Sequence, residues 1–216
     1  MKSRIETMLI VLFLAATTAF GWYKMSNHLS KAEASNEVLR QFFVKGSSKV
    51  ALLRIVHEKM PNLPTETQVK LTDTIFAMSE LRQVPLSLVC GLIETESGWK
   101  ESIVSGANAK GLMQLLPSTA RPYLRAERLN YAENTLYDPV VNVIVGISFL
   151  ADLQEGHVEA GKAKKDDWTF ALHSYFWGPS GTALLYGKKD LRANTPNLAY
   201  PIRVMGAAKG YREKGL

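Results

Sequence analysis

Between Pro85 and Gly98 the apolar residues recur at the spacing of an α-helix, and a carboxylate interrupts them on their own face. Val89, Leu92 and Ile93 form the stripe. Glu96 falls three residues after Ile93, four after Leu92 and seven after Val89, where a core aliphatic is expected. Pro85 suits the start of such a helix, because the N–H it lacks would be unpaired there anyway. Gly98 suits its end. Ser87, Gly91 and Glu94 fall on other faces. The pattern therefore predicts a solvated Glu94 and a buried Glu96.

Burial strips a carboxylate of hydration and raises its pKa. The partial negative charge of a helix C-terminus pushes the same way. A glutamic acid tuned like this can hold a proton near neutral pH and pass it to a leaving oxygen. A Glu paired with a buried Arg or with a backbone N–H fits the same position, since structural ion pairs also perturb pKa values.

Glu96-Ser97-Gly98-Trp99 is followed by Ser105-Gly106-Ala107-Asn108-Ala109-Lys110-Gly111-Leu112-Met113-Gln114-Leu115, then by Pro117 and Thr119-Ala120. This ordered run resembles the signature of the lytic transglycosylases, whose catalytic domain is related to goose-type lysozyme. The resemblance covers about Val84 to Val204. It implies a mainly α, lysozyme-like fold (α or α+β) and a single catalytic acid/base, Glu96. It further implies that Ser97 and Gln114 bind sugar or hold the acetamido group, with Met113 walling the subsite. Local alternatives are that Ser97 caps the helix end and Met113 fills the core. Asn108 stands where the family often has Gly, and Asn tolerates the same left-handed backbone. Glu101 stands where a proline is common and is expected at the surface.

Other segments extend the resemblance. Asp138-Pro139 reads as an N-cap and first helical residue. Leu136 to Leu150, with Asn142 and Gly146, resembles the family's second motif, a helix packed behind the site, running to about Leu153. Gly156 to Asp167 reads as a linker. Tyr175-Phe176-Trp177-Gly178 stands where the family usually has Tyr-Asn-Ala-Gly, which implies that the Tyr175 hydroxyl orients Glu96. Trp177 reads either as a face for sugar stacking or as a core aromatic. Tyr200-Pro201-Ile202-Arg203-Val204 resembles the closing helix.

The chain has 216 residues, 46% of them hydrophobic, enough for one sizeable core with appendages. Lys2 and Arg4 precede an uncharged run from Met8 to Tyr23, closed by Lys24. Residues 1–25 are read as a signal peptide or membrane anchor, with the remainder outside the cytoplasm. Residues 26–65 are read as a helical prelude that packs on, or spaces off, the catalytic domain at 66–216. At its start a helix capped by Thr65 or Thr67 is expected to run to about Gln83, with Leu71, Ile75, Met78 and Leu81 inward.

The net charge of +6 suits anionic partners. The zinc-finger spacings and basic-aromatic motifs of nucleic-acid binders are missing, so nucleic acid is not expected. Cys90 is the only cysteine and reads as a small buried hydrophobe. The four histidines are scattered, so no metal site is read, and the resemblance implies no cofactor.

The expected partners are peptidoglycan glycan strands, the inner membrane through the N-terminal segment, and proteins of an envelope complex. The implied activity is cleavage of the MurNAc-GlcNAc bond with formation of 1,6-anhydro-MurNAc. Two alternatives stay open: a goose-lysozyme-like hydrolase, and a peptidoglycan-binding scaffold that does not cut.

Overall fold

The computed structural model describes residues 37, 44–129, 131–132, 134–160, 164–186 and 198–216, with backbone alone for 158 and 179–186. The chain divides into two compact units, Met1–Ser47 and Ser48–Leu216. In the first unit residues 37 and 44–47 are described, and they are helical. The leader read at 1–25 lies outside the described residues. Among the described residues no helix is long and apolar enough to cross a membrane.

The second unit is built from helices. Among the described residues they are α1 (48–59), α2 (Thr65–Arg82), α3 (Leu86–Glu96), α4 (Pro117–Ala126), α5 (Pro139–Glu159), α6 (Thr169–Tyr186) and α7 (Ala199–Glu213), with a 3₁₀ turn at Thr135–Tyr137 before α5. Among the described residues the only β pairing is two isolated bridges, Val104 with Lys110 and Lys110 with Leu115. The fold is thus mainly α, as the resemblance implies.

Helix α3 is the axis. Its residues from Ser87 to Ile93 are all buried, so it is covered on every side rather than along one stripe. Helix α7 packs extensively on it, while α2 packs on α5 and α5 on α6. The close approach of α7 requires Gly91: an added Cβ would lie 2.6 Å from the backbone nitrogen of Ala208 and 2.8 Å from the Val204 carbonyl oxygen. Cys90 is fully buried beside it, and burial pushes its thiol well above the ordinary range, so it behaves as a hydrophobe.

Helix α1 falls in the segment read as a helical prelude. It sends Leu52, Ile55 and Val56 into the same core, and Met60 follows them. Buried Gln68 then knits α1 to α2. Its Nε2 donates to the carbonyls of Met60 (3.0 Å) and Leu63 (2.8 Å), and its Oε1 meets Nδ1 of His57 at 3.0 Å.

Three local expectations are corrected. Helix α2 starts at Thr65 behind Pro64, with no side-chain cap. Its inward face is Gln68, Leu71, Thr72, Ile75 and Ser79, and Leu81 is 73% exposed. The i, i+4 step from Ile75 lands on Ser79, and Leu81 is two residues further round. Helix α5 begins as expected, with Oδ1 of Asp138 accepting from the N–H groups of Val140 (2.8 Å) and Val141 (3.1 Å). It then runs past Leu153 and through Gly156 to Glu159. Tertiary contacts extend it: buried Gln154 donates to the carbonyls of Lys164, Lys165 and Asp167, and Nε2 of His157 meets Oγ of Ser174 at 2.8 Å.

Candidate active site

Glu96 is the last residue of α3 and is half-buried, less enclosed than the stripe predicted. Burial pushes its carboxyl above the ordinary range, opposed by a hydrogen bond from Tyr200 and by the charge of Arg203. The Tyr200 hydroxyl donates to Oε1 of Glu96. The tyrosine is itself held in its neutral, donating form by burial and by the carboxylate beside it.

The backbone turns sharply after Glu96. Gly98 (φ 56°) and Trp99 (φ 66°) are both left-handed. Gly98 ends the helix as expected. Buried Trp99 is held by its Nε1, which donates to the Tyr211 hydroxyl at 2.8 Å. That hydroxyl donates to Oε2 of Glu94 at 2.6 Å, and Lys59 pairs with the same oxygen at 2.8 Å. Glu94 is therefore not the solvated residue the α3 pattern predicted. Burial alone would raise its pKa, but the hydrogen bonds and charge from Lys59 and Tyr211 together outweigh burial and hold it below the ordinary range. The partners come from α1 and α7, far away in sequence.

Segment 105–115 folds against α5. Asn108 adopts φ 63°, the left-handed backbone expected of it. Asn142, fully buried on α5, donates to the carbonyls of Lys110 (2.9 Å) and Leu136 (2.8 Å) and accepts from the Met113 N–H (2.8 Å). Gly146 leaves space for Met113, whose sulfur would lie 2.3 Å from an added Cβ.

The residues assigned to substrate binding are distributed as follows. Ser97 is buried, and its hydroxyl donates to the Ile93 carbonyl and accepts from the Trp99 N–H, each at 3.1 Å. The Met113 side chain is fully buried. Gln114 is half-buried at φ 47°, with Nε2 donating to the carbonyls of Gly111 (3.0 Å) and Ile103 (3.2 Å). The Tyr175 hydroxyl donates to the Met113 carbonyl at 2.8 Å. Tyr175 lies close enough to Glu96 for the carboxylate charge to add to burial in raising its pKa. The hydroxyl that meets Glu96 directly is that of Tyr200, a role the resemblance had implied for Tyr175.

Tyr200 was legible only as part of the closing helix. It precedes Val204 by four residues, Ala208 by eight and Tyr211 by eleven, all buried. A tyrosine on such a face needs a partner for its hydroxyl, and that was the available signal. Trp177 is 45% exposed, so it is not a core aromatic. A cleft of about 500 Å³ between α2 and α5, lined by Arg82, Gln154, Glu155 and Trp168, contains none of these site residues.

Residues 73–190 match the Transglycosylase SLT domain family. The membrane-bound lytic murein transglycosylase C of Histophilus somni is 32% identical over 123 residues, which cover 55% of this chain and 34% of that protein. Its counterpart in Haemophilus influenzae strain PittEE is 33% identical over the same length and shares. This chain thus spans about a third of the length of these relatives.

Among solved structures, an inactive mutant of lytic transglycosylase Slt from Pseudomonas aeruginosa superposes with a TM-score of 0.55 at 22% identity, covering 66% of this chain and 24% of that one. The 70 kDa soluble lytic transglycosylase of Escherichia coli gives the same score and identity, with 65% and 24% covered. These likenesses show the fold. A glutamate ending a buried helix, a left-handed turn behind it and a Gly-Leu-Met-Gln loop pinned to the next long helix lie within the stretch that the family matches, and the chain belongs to the transglycosylase SLT domain family.

Proposed function

We propose that this chain is a peptidoglycan lytic transglycosylase with Glu96 as its single acid/base. The observation that carries the reading is the state of Glu96: half-buried, raised in pKa and fixed at Oε1 by Tyr200. Glu96 protonates the oxygen between MurNAc and GlcNAc, and the C1–O bond breaks. The MurNAc N-acetyl group stabilises the oxocarbenium-like state, and the sugar's own C6 hydroxyl closes on C1. The C6 hydroxyl proton returns to the Glu96 carboxylate. The product is a 1,6-anhydro-MurNAc end, and no water is consumed. Most glycosidases employ two carboxylates. Here the neighbouring Glu94 is tied to Lys59 and Tyr211, which supports a one-carboxylate mechanism.

Ser97, Met113 and Gln114 shape the groove through the turn and loop that they hold. Gln114, the most accessible of the three, is the one proposed to touch sugar directly. Tyr175 fixes the Met113 carbonyl and so sets the loop's distance from α6. The envelope is the proposed location, supported by Lys2 and Arg4 ahead of the uncharged run Met8 to Tyr23.

The test is mass spectrometry of muropeptides released from purified sacculi by the full chain. Anhydro ends are expected. Reducing ends would replace this reading with the hydrolase, and binding without release would replace it with the scaffold. Glu96→Gln is expected to lower release at least about 100-fold, the lower range for a general acid, with the fold retained.

A further inference from the structure

Where the family usually carries Asn, this chain carries Phe176, and the ring is 51% exposed. An exposed phenylalanine on a helix ordinarily has nothing to do. This one lies on the ring of Tyr200, with centroids 4.5 Å apart and planes 26° apart. Trp177 meets Phe176 edge-on at 5.2 Å and 84°. The Arg203 guanidinium sits 5.5 Å from the centre of the same Tyr200 ring. Phe176 has no polar group with which to reach Glu96, so its influence must pass through the ring that it covers.

We propose that Phe176 is a positioning residue for Glu96, acting through the stacked ring of Tyr200. It rests on the reading of Glu96 as the acid of the reaction. A tyrosine hydroxyl stands at the far end of a rigid ring, so a small tilt of the ring displaces the oxygen. Misplacing a catalytic contact by about 1 Å can cost about 100-fold. Stacking confines the tilt, with the Phe176 ring on α6 and the Tyr200 ring on α7. A polar residue at 176 would have to secure the site by a hydrogen bond; the aromatic residue does it by surface contact. The two helices are thereby locked together beside the acid.

The test is a double-mutant cycle on the full chain with Phe176→Ala, Tyr200→Phe and the two combined. Removal of the Phe176 ring is expected to lower kcat about 2- to 10-fold, the range for an aromatic pair, with little change in KM. In the Tyr200→Phe background the same change is expected to cost less than about 2-fold, because the hydroxyl being positioned is gone. Phe176→Tyr, which keeps the ring, is expected to restore the wild-type rate. Phe176→Leu keeps the apolar bulk without the ring and replaces Phe176→Ala in the cycle if the alanine variant does not fold.

The Glu96 carboxyl, titrated by NMR in the same four proteins without substrate, gives a second reading. Its midpoint is expected to move by about 0.3–1 pH unit on loss of the ring when Tyr200 is present, and to stay in place when it is not. An equal effect of Phe176→Ala in both backgrounds, or none in either, overturns the proposal. If the wild-type chain releases no muropeptides, the proposed function fails, and the titration cycle still decides the role of Phe176.

Discussion

Glu94 and Glu96 lie two residues apart on α3, and their surroundings drive their protons in opposite directions. Lys59 and Tyr211 keep Glu94 ionised, whereas burial keeps Glu96 protonated to higher pH. The two therefore contribute to stability with opposite pH dependence. A depressed carboxylate stabilises the fold above the ordinary carboxylate range, and the benefit is lost as pH falls through its folded pKa. A raised one favours the fold while protonated, and that benefit is lost as pH rises through its folded pKa. Glu94→Gln is thus expected to lower Tm at neutral pH, with the deficit closing in acid. Glu96→Gln is expected to raise Tm at neutral and alkaline pH, with the gain vanishing in acid. Thermal unfolding of the three proteins across pH checks both signs.

Tyr200→Phe removes a hydrogen bond that lowers the pKa of Glu96. Glu96 then holds its proton to still higher pH. The alkaline limb of the pH–rate profile is expected to move upward. The rate on its plateau is expected to fall about 10-fold, in keeping with about 1.5 kcal/mol for a hydrogen bond to a charged group. A limb that stayed in place would show that Tyr200 does not act on Glu96.

Gly91→Ala tests the seam between α3 and α7. The added methyl meets backbone, not a yielding side chain. The expected loss is about 1–3 kcal/mol, the usual range for overpacking, read by urea denaturation. Ala208→Gly is not expected to rescue it, because the obstructing atoms at 208 belong to the main chain.

Asn142→Ala leaves the buried Met113 N–H and the Leu136 carbonyl without their partner. A loss of about 2–4 kcal/mol is expected, combining a small cavity with unpaired polar groups. Asn142→Asp keeps the acceptor for Met113 but turns a buried negative charge toward two carbonyls, so it is expected to be no better. Urea midpoints of both variants decide the matter.

Much of this was written locally in the chain. The α3 stripe from Val89 to Ile93 is buried with Glu96 at its half-buried end, Gly98 ended the helix, Asn108 took a left-handed backbone and Asp138 capped α5. These features depend on residues within a turn or two of one another. What escaped depends on distant ones. Glu94 was misplaced because Lys59 lies 35 residues before it and Tyr211 lies 117 after it. Periodicity on α3 alone could not reveal that α7 covers the supposedly outer face. Leu81 was misassigned because a buried Ser79 completes the inner face of α2. The partner of Glu96 was sought at Tyr175, which motif order favoured, and was found 104 residues away at Tyr200.

That separation orders events during synthesis. Tyr200 lies on α7, and the same helix packs extensively on α3. A nascent polypeptide already carrying Glu96 and the Gly-Leu-Met-Gln loop lacks the helix that covers and orients the acid. On the proposed reading Glu96 is oriented only once α7 has docked, so a version of the chain cut before Tyr200 is expected to lack muropeptide release.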